Sequence, residues 1–281
     1  MAPLWLVRPD GSRDRRIEDP TNLWIVHLAG RLLLPLALRW RVPANPVSVA
    51  GLLFGVAAAF AFSRWSDWRL ASLAFLLCLA WLIADGLDGM IARATGTASA
   101  FGRALDGLCD HAVFLLLYLS LAASLGTAQG WALAFAAGAA HAIQATLYEG
   151  ERTRFHRRIA GDPGGRPAPV TRNVLVRWYD RVAGSLDRMA APFDRLLAAS
   201  PDPPALGGIY GRRAVPPLRL MVPLSNNMRV LALYFACLTG DPTLFWWFEL
   251  FPLTVIALAG IAWHRHIEAQ LVRDYGRSTK A

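Results

Sequence analysis

The sequence predicts an all-α integral membrane protein with six transmembrane helices, an N-terminal interfacial helix and a cytoplasmic amphipathic insertion. Three observations support this fold class: the apolar composition, six long apolar segments, and arginines that concentrate between some of those segments. Of the 281 residues, 55% are hydrophobic and 17% are charged, and the mean hydropathy is +0.34. The chain is therefore more apolar than an average soluble protein of its length.

Six segments approach the ~20 apolar residues that a helix needs to cross a bilayer. They are Val47–Phe62, Leu70–Ile91, Leu105–Leu125, Trp131–Leu147, Leu220–Leu238 and Leu244–Trp263. The preceding segment, Thr21–Trp40, mixes Trp24 and leucines with Arg31 and Arg39. This mixture indicates an interfacial helix that lies along the lipid headgroups, with a seventh span as the alternative.

The distribution of arginine predicts the orientation in the membrane. The connections near Gly126–Gly130 and Gly240–Thr243 carry no Lys or Arg, whereas both termini and the segment 151–219 are rich in Arg. By the positive-inside rule, both termini and this long segment are cytoplasmic, and the location we expect is a bacterial inner membrane.

The same features divide the chain into four regions. Residues 1–44 form a cytoplasmic N-terminus with the interfacial helix, 45–150 hold the first four spans, 151–219 form the insertion, and 220–281 hold the last two spans and a cytoplasmic tail. Within the insertion, apolar residues recur at helical spacing among arginines from Val174 to Phe193. This pattern predicts an amphipathic helix on the membrane surface, for which anchoring is the simplest role.

Four aspartates lie at fixed spacing in this apolar chain. Asp85 and Asp88 are three residues apart and Asp106 and Asp110 are four apart, so each pair lies on one face of a helix. Carboxylates in or near hydrocarbon are costly and repel one another unless cations neutralise them. Oxygen ligands suit Mg²⁺ or Mn²⁺, whereas zinc favours His or Cys. The spacing therefore predicts a metal site between two helices, with two unrelated, solvated acidic pairs as the alternative.

The aspartates belong to a longer pattern, D-x2-D-G-x2-A-R-x8-G-x3-D-x3-D. Its defined positions are filled by Asp85, Asp88, Gly89, Ala92, Arg93, Gly102, Asp106 and Asp110. The pattern resembles the signature of the CDP-alcohol phosphotransferases. These integral membrane enzymes move a phosphoalcohol from a CDP-linked donor to an acceptor hydroxyl and release CMP. The resemblance implies a transferase of phospholipid biosynthesis that uses two Mg²⁺ or Mn²⁺ ions.

The resemblance also implies roles for individual residues. Asp85, Asp88 and Asp106 would hold the metal ions, and Asp110 would be a further ligand or the general base that deprotonates the acceptor. The expected CDP-binding residues are Gly86, Gly89, Arg93, Gly102 and Asn45. For the glycines, close helix packing is the competing explanation, and Arg93 could instead lie in the headgroup zone.

The acceptor is less well defined by the sequence. Arg229 lies inside an apolar segment, where a charged residue indicates function, and Arg154 belongs to an arginine group after the fourth predicted span. Both are candidates to bind a phosphate on the acceptor, although the group at Arg154 would also serve anchoring. Nearby Tyr148, Glu149 and Glu151 would instead suit choline or ethanolamine.

The hypothesis that combines these features is a CDP-diacylglycerol donor and a phosphorylated polyol acceptor, such as glycerol phosphate or inositol phosphate. The alternatives are a CDP-choline or CDP-ethanolamine headgroup transferase, a divalent metal transporter, and a catalytically silent scaffold. A transporter would distribute acidic residues through several spans, whereas here they gather at one membrane face. The intact motif argues against a silent scaffold.

The net charge of +9 is carried almost entirely by arginine, since Lys280 is the sole lysine. The arginines lie beside apolar segments and no nucleic-acid motif is present, so we expect membrane lipids rather than nucleic acid as partners. The small-residue run Ala136–Ala140 is a candidate packing face for a homodimer.

Overall fold

The computed structural model describes residues 14–164 and 189–276, and these residues form helices and connections without a strand. The helices are a π-helical turn at Asn22–Val26, α1 (His27–Arg39), α2 (Ala44–Phe62), α3 (Trp68–Thr95), α4 (Ala100–Leu125), α5 (Ala128–Ile159), α6 (residues 189–199), α7 (Pro203–Leu220), α8 (Asn226–Leu238), α9 (Thr243–Leu250) and α10 (Pro252–Tyr275). A 3-10 turn, Val222–Leu224, lies between α7 and α8. The predicted all-α class is confirmed for this part of the chain.

Four helical segments of the described chain are long and apolar enough to cross a membrane. They are Ala44–Phe62, Trp68–Thr95, Leu105–Leu125 and Thr243–Tyr275. The first three contain the first three predicted spans almost unchanged, and the fourth contains the predicted sixth. These segments support a multi-pass membrane protein, but they do not confirm the predicted count of six.

The predicted fourth and fifth spans are not among these four segments. Residues 131–147 lie within α5, a helix of 32 residues that continues past Glu151 into a polar end. The predicted fifth span is interrupted, because Ser225 caps a new helix and leaves α8 with only 13 residues. At about 1.5 Å per residue, α8 is roughly 20 Å long and shorter than a bilayer core.

The predicted sixth span and the N-terminal segment can also be compared with the structure. The predicted sixth span is not one unbroken helix: α9 ends at Leu250 and α10 begins at Pro252. Proline lacks the N–H that a helix interior needs and is favoured at the first helical position. The N-terminal segment is helical as predicted, and its Trp24 and Trp40 are 70% and 68% exposed. Its position along the headgroups remains a prediction.

The chain divides into two compact units. In the described part, the motif unit comprises residues 18–141 and 225–252, and the insertion unit comprises residues 14–17, 142–164, 189–224 and 253–276. Most of the amphipathic helix predicted from Val174 to Phe193 lies outside the described residues. Its last part begins α6, where Phe193 is buried in the core of the insertion unit.

Small residues on α2 bring this helix close to its neighbours in the motif unit. A Cβ atom on Gly51 would lie 3.2 Å from the Cβ of Ala84, and one on Gly55 would lie 2.2 Å from Cγ2 of Val113. The absence of these side chains lets α2 pack closely against α3 and α4. This packing places Ser48, one turn before Gly51, beside the aspartate motif.

Candidate active site

The motif lies where α3 ends and α4 begins. α3 ends in a left-handed Gly96 with φ 68°, a conformation that glycine adopts without a Cβ clash. Ser99 then caps α4 by accepting a hydrogen bond of 3.0 Å from the backbone N–H of Gly102. The connection of four residues brings the carboxyl end of α3 and the amino end of α4 together, each with one aspartate pair.

The carboxyl groups of the two pairs interact directly. Asp85 is within hydrogen-bonding reach of Asp106 and Asp110. Asp88 is 5% exposed and accepts a hydrogen bond from the hydroxyl of Ser48. The structure thus places the four aspartates, which come from two helices, in one polar cluster of the motif unit.

The donor chemistry of this cluster fits a hard divalent cation. Within the described residues, no three His, Cys, Asp or Glu side chains are already arranged around a single ion position. However, the clustered groups are carboxyls, the ligand type that Mg²⁺ and Mn²⁺ prefer, and a cation would relieve their mutual repulsion. The chemistry of the residues therefore agrees with the expected metal.

Asp110 receives a hydrogen bond on each carboxylate oxygen. The indole Nε1 of Trp81 donates to Oδ1 over 3.1 Å, and the amide Nδ2 of Asn226 donates to Oδ2 over 3.2 Å. We did not single out Trp81 or Asn226 from the sequence. Trp81 lies four residues before Asp85 on the same helix face, and Asn226 is a polar residue in an apolar stretch. Either feature could have identified its residue as a candidate for the site.

A cavity of about 680 Å³ opens beside the cluster. Four of the five residues predicted to bind CDP line it, together with two of the aspartates: Asn45, Gly89, Arg93, Gly102, Asp88 and Asp106. Further polar residues of the lining are Arg41, Ser48, Thr95, Thr97 and Ser99. Arg41 has a left-handed backbone with φ 52°, unique among the described non-glycine residues, and backbone of this kind clusters at functional sites.

Gly86 is the predicted CDP-binding residue that does not line the cavity. A Cβ atom on Gly86 would lie 3.3 Å from Cγ1 of Val26, in the π-helical turn that precedes α1. The absence of a side chain on Gly86 thus lets a neighbouring helical turn approach α3. Close helix packing is the explanation that competes with CDP binding for the glycines. Gly89 differs, because its Cβ would lie 3.2 Å from Nη1 of Arg93, a residue of the cavity lining.

The two arginines predicted to bind the acceptor already have acidic partners. Arg229 is fully buried in the motif unit, where it pairs with Glu249 and lies 3.1 Å from Nδ1 of His141. Arg154 belongs to the insertion unit and pairs with Glu151. Neither arginine lines the cavity, and their role in acceptor binding remains a prediction.

Comparison with known proteins agrees with the motif. The sequence model of the CDP-alcohol phosphatidyltransferase family matches residues 41–175, a little under half of the chain. This match includes α2, α3, α4, α5 and every residue of the motif. No curated protein and no solved structure matches the chain. The matched region carries the complete motif, and residues 41–175 are therefore similar to the CDP-alcohol phosphatidyltransferases, a family of phosphotransferases.

Proposed function

We propose that this protein transfers a phosphatidyl group from CDP-diacylglycerol to the hydroxyl of a phosphorylated polyol and releases CMP. The acceptor class would be glycerol phosphate or inositol phosphate. The observation that carries the proposal is the cavity beside the aspartate cluster, on which Asn45, Arg93 and Asp88 converge. Two arginines of its lining, Arg41 and Arg93, suit a substrate that brings several phosphate charges.

In this proposal Asp85, Asp88 and Asp106 would hold two Mg²⁺ or Mn²⁺ ions, and Asp110 takes the second of its two expected roles, that of the base. Such ions would supply positive charge to the diphosphate of the donor and to the departing CMP. The ligand set consists of carboxylates from both helices of the motif, and close packing of α2 adds the hydroxyl of Ser48 behind Asp88.

Asp110 acts as the general base. The acceptor oxygen attacks the phosphorus of the phosphatidyl group, and its proton passes to the Asp110 carboxylate. The bond from that phosphorus to the CMP oxygen breaks, and CMP leaves with the electron pair. Arg93 donates hydrogen bonds to the phosphate oxygens, which holds the donor in line with the acceptor.

Release of CMP by the purified protein in detergent tests the proposal. CDP-diacylglycerol, CDP-choline and CDP-ethanolamine are each supplied with Mg²⁺ or Mn²⁺ and a panel of acceptors, and Asp110→Asn serves as the control. We expect metal-dependent release from CDP-diacylglycerol with a phosphorylated polyol, and loss of release in the variant. Consumption of CDP-choline or CDP-ethanolamine alone would instead identify a headgroup transferase, and Mg²⁺ flux without CMP release would identify a transporter.

A further inference from the structure

The side chain of Asp110 is held from two sides. Its Oδ1 accepts from Trp81 on α3 and its Oδ2 accepts from Asn226 on α8, at 3.1 and 3.2 Å. One hydrogen bond to each oxygen fixes the plane of a carboxylate as well as its position. The position of Asp110 therefore depends on two helices besides the α4 helix that carries it.

Trp81 is itself rigidly packed. Its side chain is 1% exposed, and its ring meets the ring of Phe114 edge-on with a centroid distance of 5.4 Å. This arrangement is a favourable one for two aromatic rings. The indole N–H is thus directed at Asp110 by the core of the motif unit.

Asn226 is fixed by the residue before it. Ser225 caps α8 by accepting from the backbone N–H of Met228, and its hydroxyl donates to Oδ2 of Asp19 over 2.6 Å. Asp19 is 3% exposed and also accepts from the backbone N–H and the hydroxyl of Thr21. These hydrogen bonds anchor the first turn of α8 and so fix the backbone position of Asn226.

We infer that Asn226 is a positioning residue, which acts through Asp110 to orient the base toward the acceptor hydroxyl. An amide suits this task because its N–H groups donate to a carboxylate but its nitrogen does not take up the proton that the base must receive. Removing a group that orients a reacting or ligating side chain typically lowers activity or metal affinity on the order of 10–100-fold. The inference rests on the proposed function, since it assigns to Asp110 the role of base.

The neighbouring residue Asn227 provides a matched control. Its Nδ2 donates to the hydroxyl of Thr21 over 3.1 Å, so it makes one side-chain hydrogen bond from the same turn but none of its bonds goes to Asp110. Asn226→Ala and Asn227→Ala each remove one amide from the start of α8. Any loss that comes only from loosening this turn should affect both variants alike.

The experiment compares steady-state CMP release and thermal unfolding for wild type, Asn226→Ala and Asn227→Ala. We expect kcat to fall on the order of 10–100-fold in Asn226→Ala with little change in the KM for the donor. Asn227→Ala should unfold at a similar temperature and keep a kcat close to that of wild type. The isosteric Asn226→Asp keeps the shape of the side chain while replacing the donating amide, and its kcat should fall as well.

Trp81→Phe tests the same idea from the other oxygen. The phenyl ring keeps an aromatic contact with Phe114 but has no N–H to donate to Asp110. The kcat of this variant should therefore also fall. In an active wild-type protein, equal kcat values for Asn226→Ala and Asn227→Ala would overturn the inference and leave the proposed function standing. A wild-type protein that releases no CMP with any donor would overturn the proposed function and the inference together.

Discussion

The hydroxyl of Ser48 illustrates how one small side chain supports the aspartate cluster. It donates to Asp88, and both side chains are buried, at 7% and 5% exposure. Nothing in the sequence pattern pairs Ser48 with Asp88. Its contact with Asp88 depends on the close approach of α2 to α3, which the glycines of α2 allow. Ser48 therefore orients a proposed metal ligand from a helix that carries none of the four aspartates.

We predict that Ser48→Ala weakens metal binding. Partners of metal ligands typically contribute on the order of 10-fold or more to affinity, so the Mn²⁺ concentration for half-maximal CMP release should rise by about that factor. Calorimetric titration with Mn²⁺ gives a second readout that does not depend on turnover. Ser63→Ala is the control, because Ser63 lies just beyond the same helix and donates to the backbone oxygen of Phe60. A rise of equal size in both variants would contradict the prediction.

The buried pair of Arg229 and Glu249 makes a different prediction. Neither side chain has any exposed surface, and Oε1 of Glu249 also lies 3.7 Å from Nδ1 of His141. Arg229→Met should lower the free energy of unfolding by roughly 3–5 kcal/mol, because a buried carboxylate then loses its guanidinium partner. The double variant Arg229→Met with Glu249→Met should recover part of this loss, measured by thermal unfolding in detergent. A double variant that is less stable than the single one would contradict this account.

The same double variant bears on acceptor binding. If Arg229 contacts an acceptor phosphate, the KM for the acceptor should rise even where stability is recovered. If the pair only stabilises the contact between α8 and α9, the KM should stay near the wild-type value. Comparing the KM with the unfolding temperature therefore separates a binding role from a structural one.

At the scale of helices, buried charges link the elements of the insertion unit. Arg158 on α5 pairs with Asp194 on α6 over 2.8 Å and with Glu268 on α10. Glu151, also on α5, contacts His264 and Arg265 on α10. Arg158 and Glu151 thus each have an opposite partner on another helix, so removing one member of such a pair leaves a buried charge on another element.

This network predicts a pH dependence for the insertion unit. Burial raises the pKa of Glu151, but the hydrogen bond with His264 and the charges of Arg265 and Arg154 outweigh it and lower the pKa to about 2, from a usual 4.5. Because the folded-state pKa lies below the unfolded one, the carboxylate stabilises the fold above pH 4.5. That stabilisation is lost as the pH falls toward 2.

We therefore expect Glu151→Gln to be less stable than wild type at pH 7, by on the order of 3 kcal/mol, and to lose less stability than wild type between pH 5 and pH 3. Thermal unfolding in detergent across this range measures both effects. Glu149→Gln is the control, since the Glu149 side chain is 65% exposed and pairs with Arg152 at the surface. Parallel pH curves for wild type and Glu151→Gln would contradict the prediction.

At the scale of the whole molecule, local patterns were predicted better than contacts. The aspartate spacing and the first three spans depend on helical periodicity and on hydropathy, which a single sequence records directly. The count of six spans differs at 220–238 because hydropathy alone does not register the turn at Val222–Leu224 or the cap at Ser225. There, local backbone chemistry ends one helix and begins another within an apolar stretch.

The contacts of Asn226, Ser225 and Arg229 could not be predicted in the same way. Asn226 is separated from Asp110 by 116 positions, and Ser225 from Asp19 by 206. Such contacts depend on how α8 packs against α3 and on its rotation about its own axis. A single sequence shows that these polar residues interrupt apolar segments, and so that they need partners, without showing which partners they have.

The orientation in the membrane remains a prediction that cysteine labelling can test. The three native cysteines, Cys78, Cys109 and Cys237, are all buried, so we expect little background labelling from them. Gln129, near the arginine-free connection before α5, and Ala199, at the end of α6, are both exposed. By the positive-inside rule, Gln129→Cys should react with a membrane-impermeant maleimide in intact spheroplasts. Ala199→Cys should react only after the membrane is permeabilised, and the reverse pattern would place the insertion and the aspartate motif on the outer side.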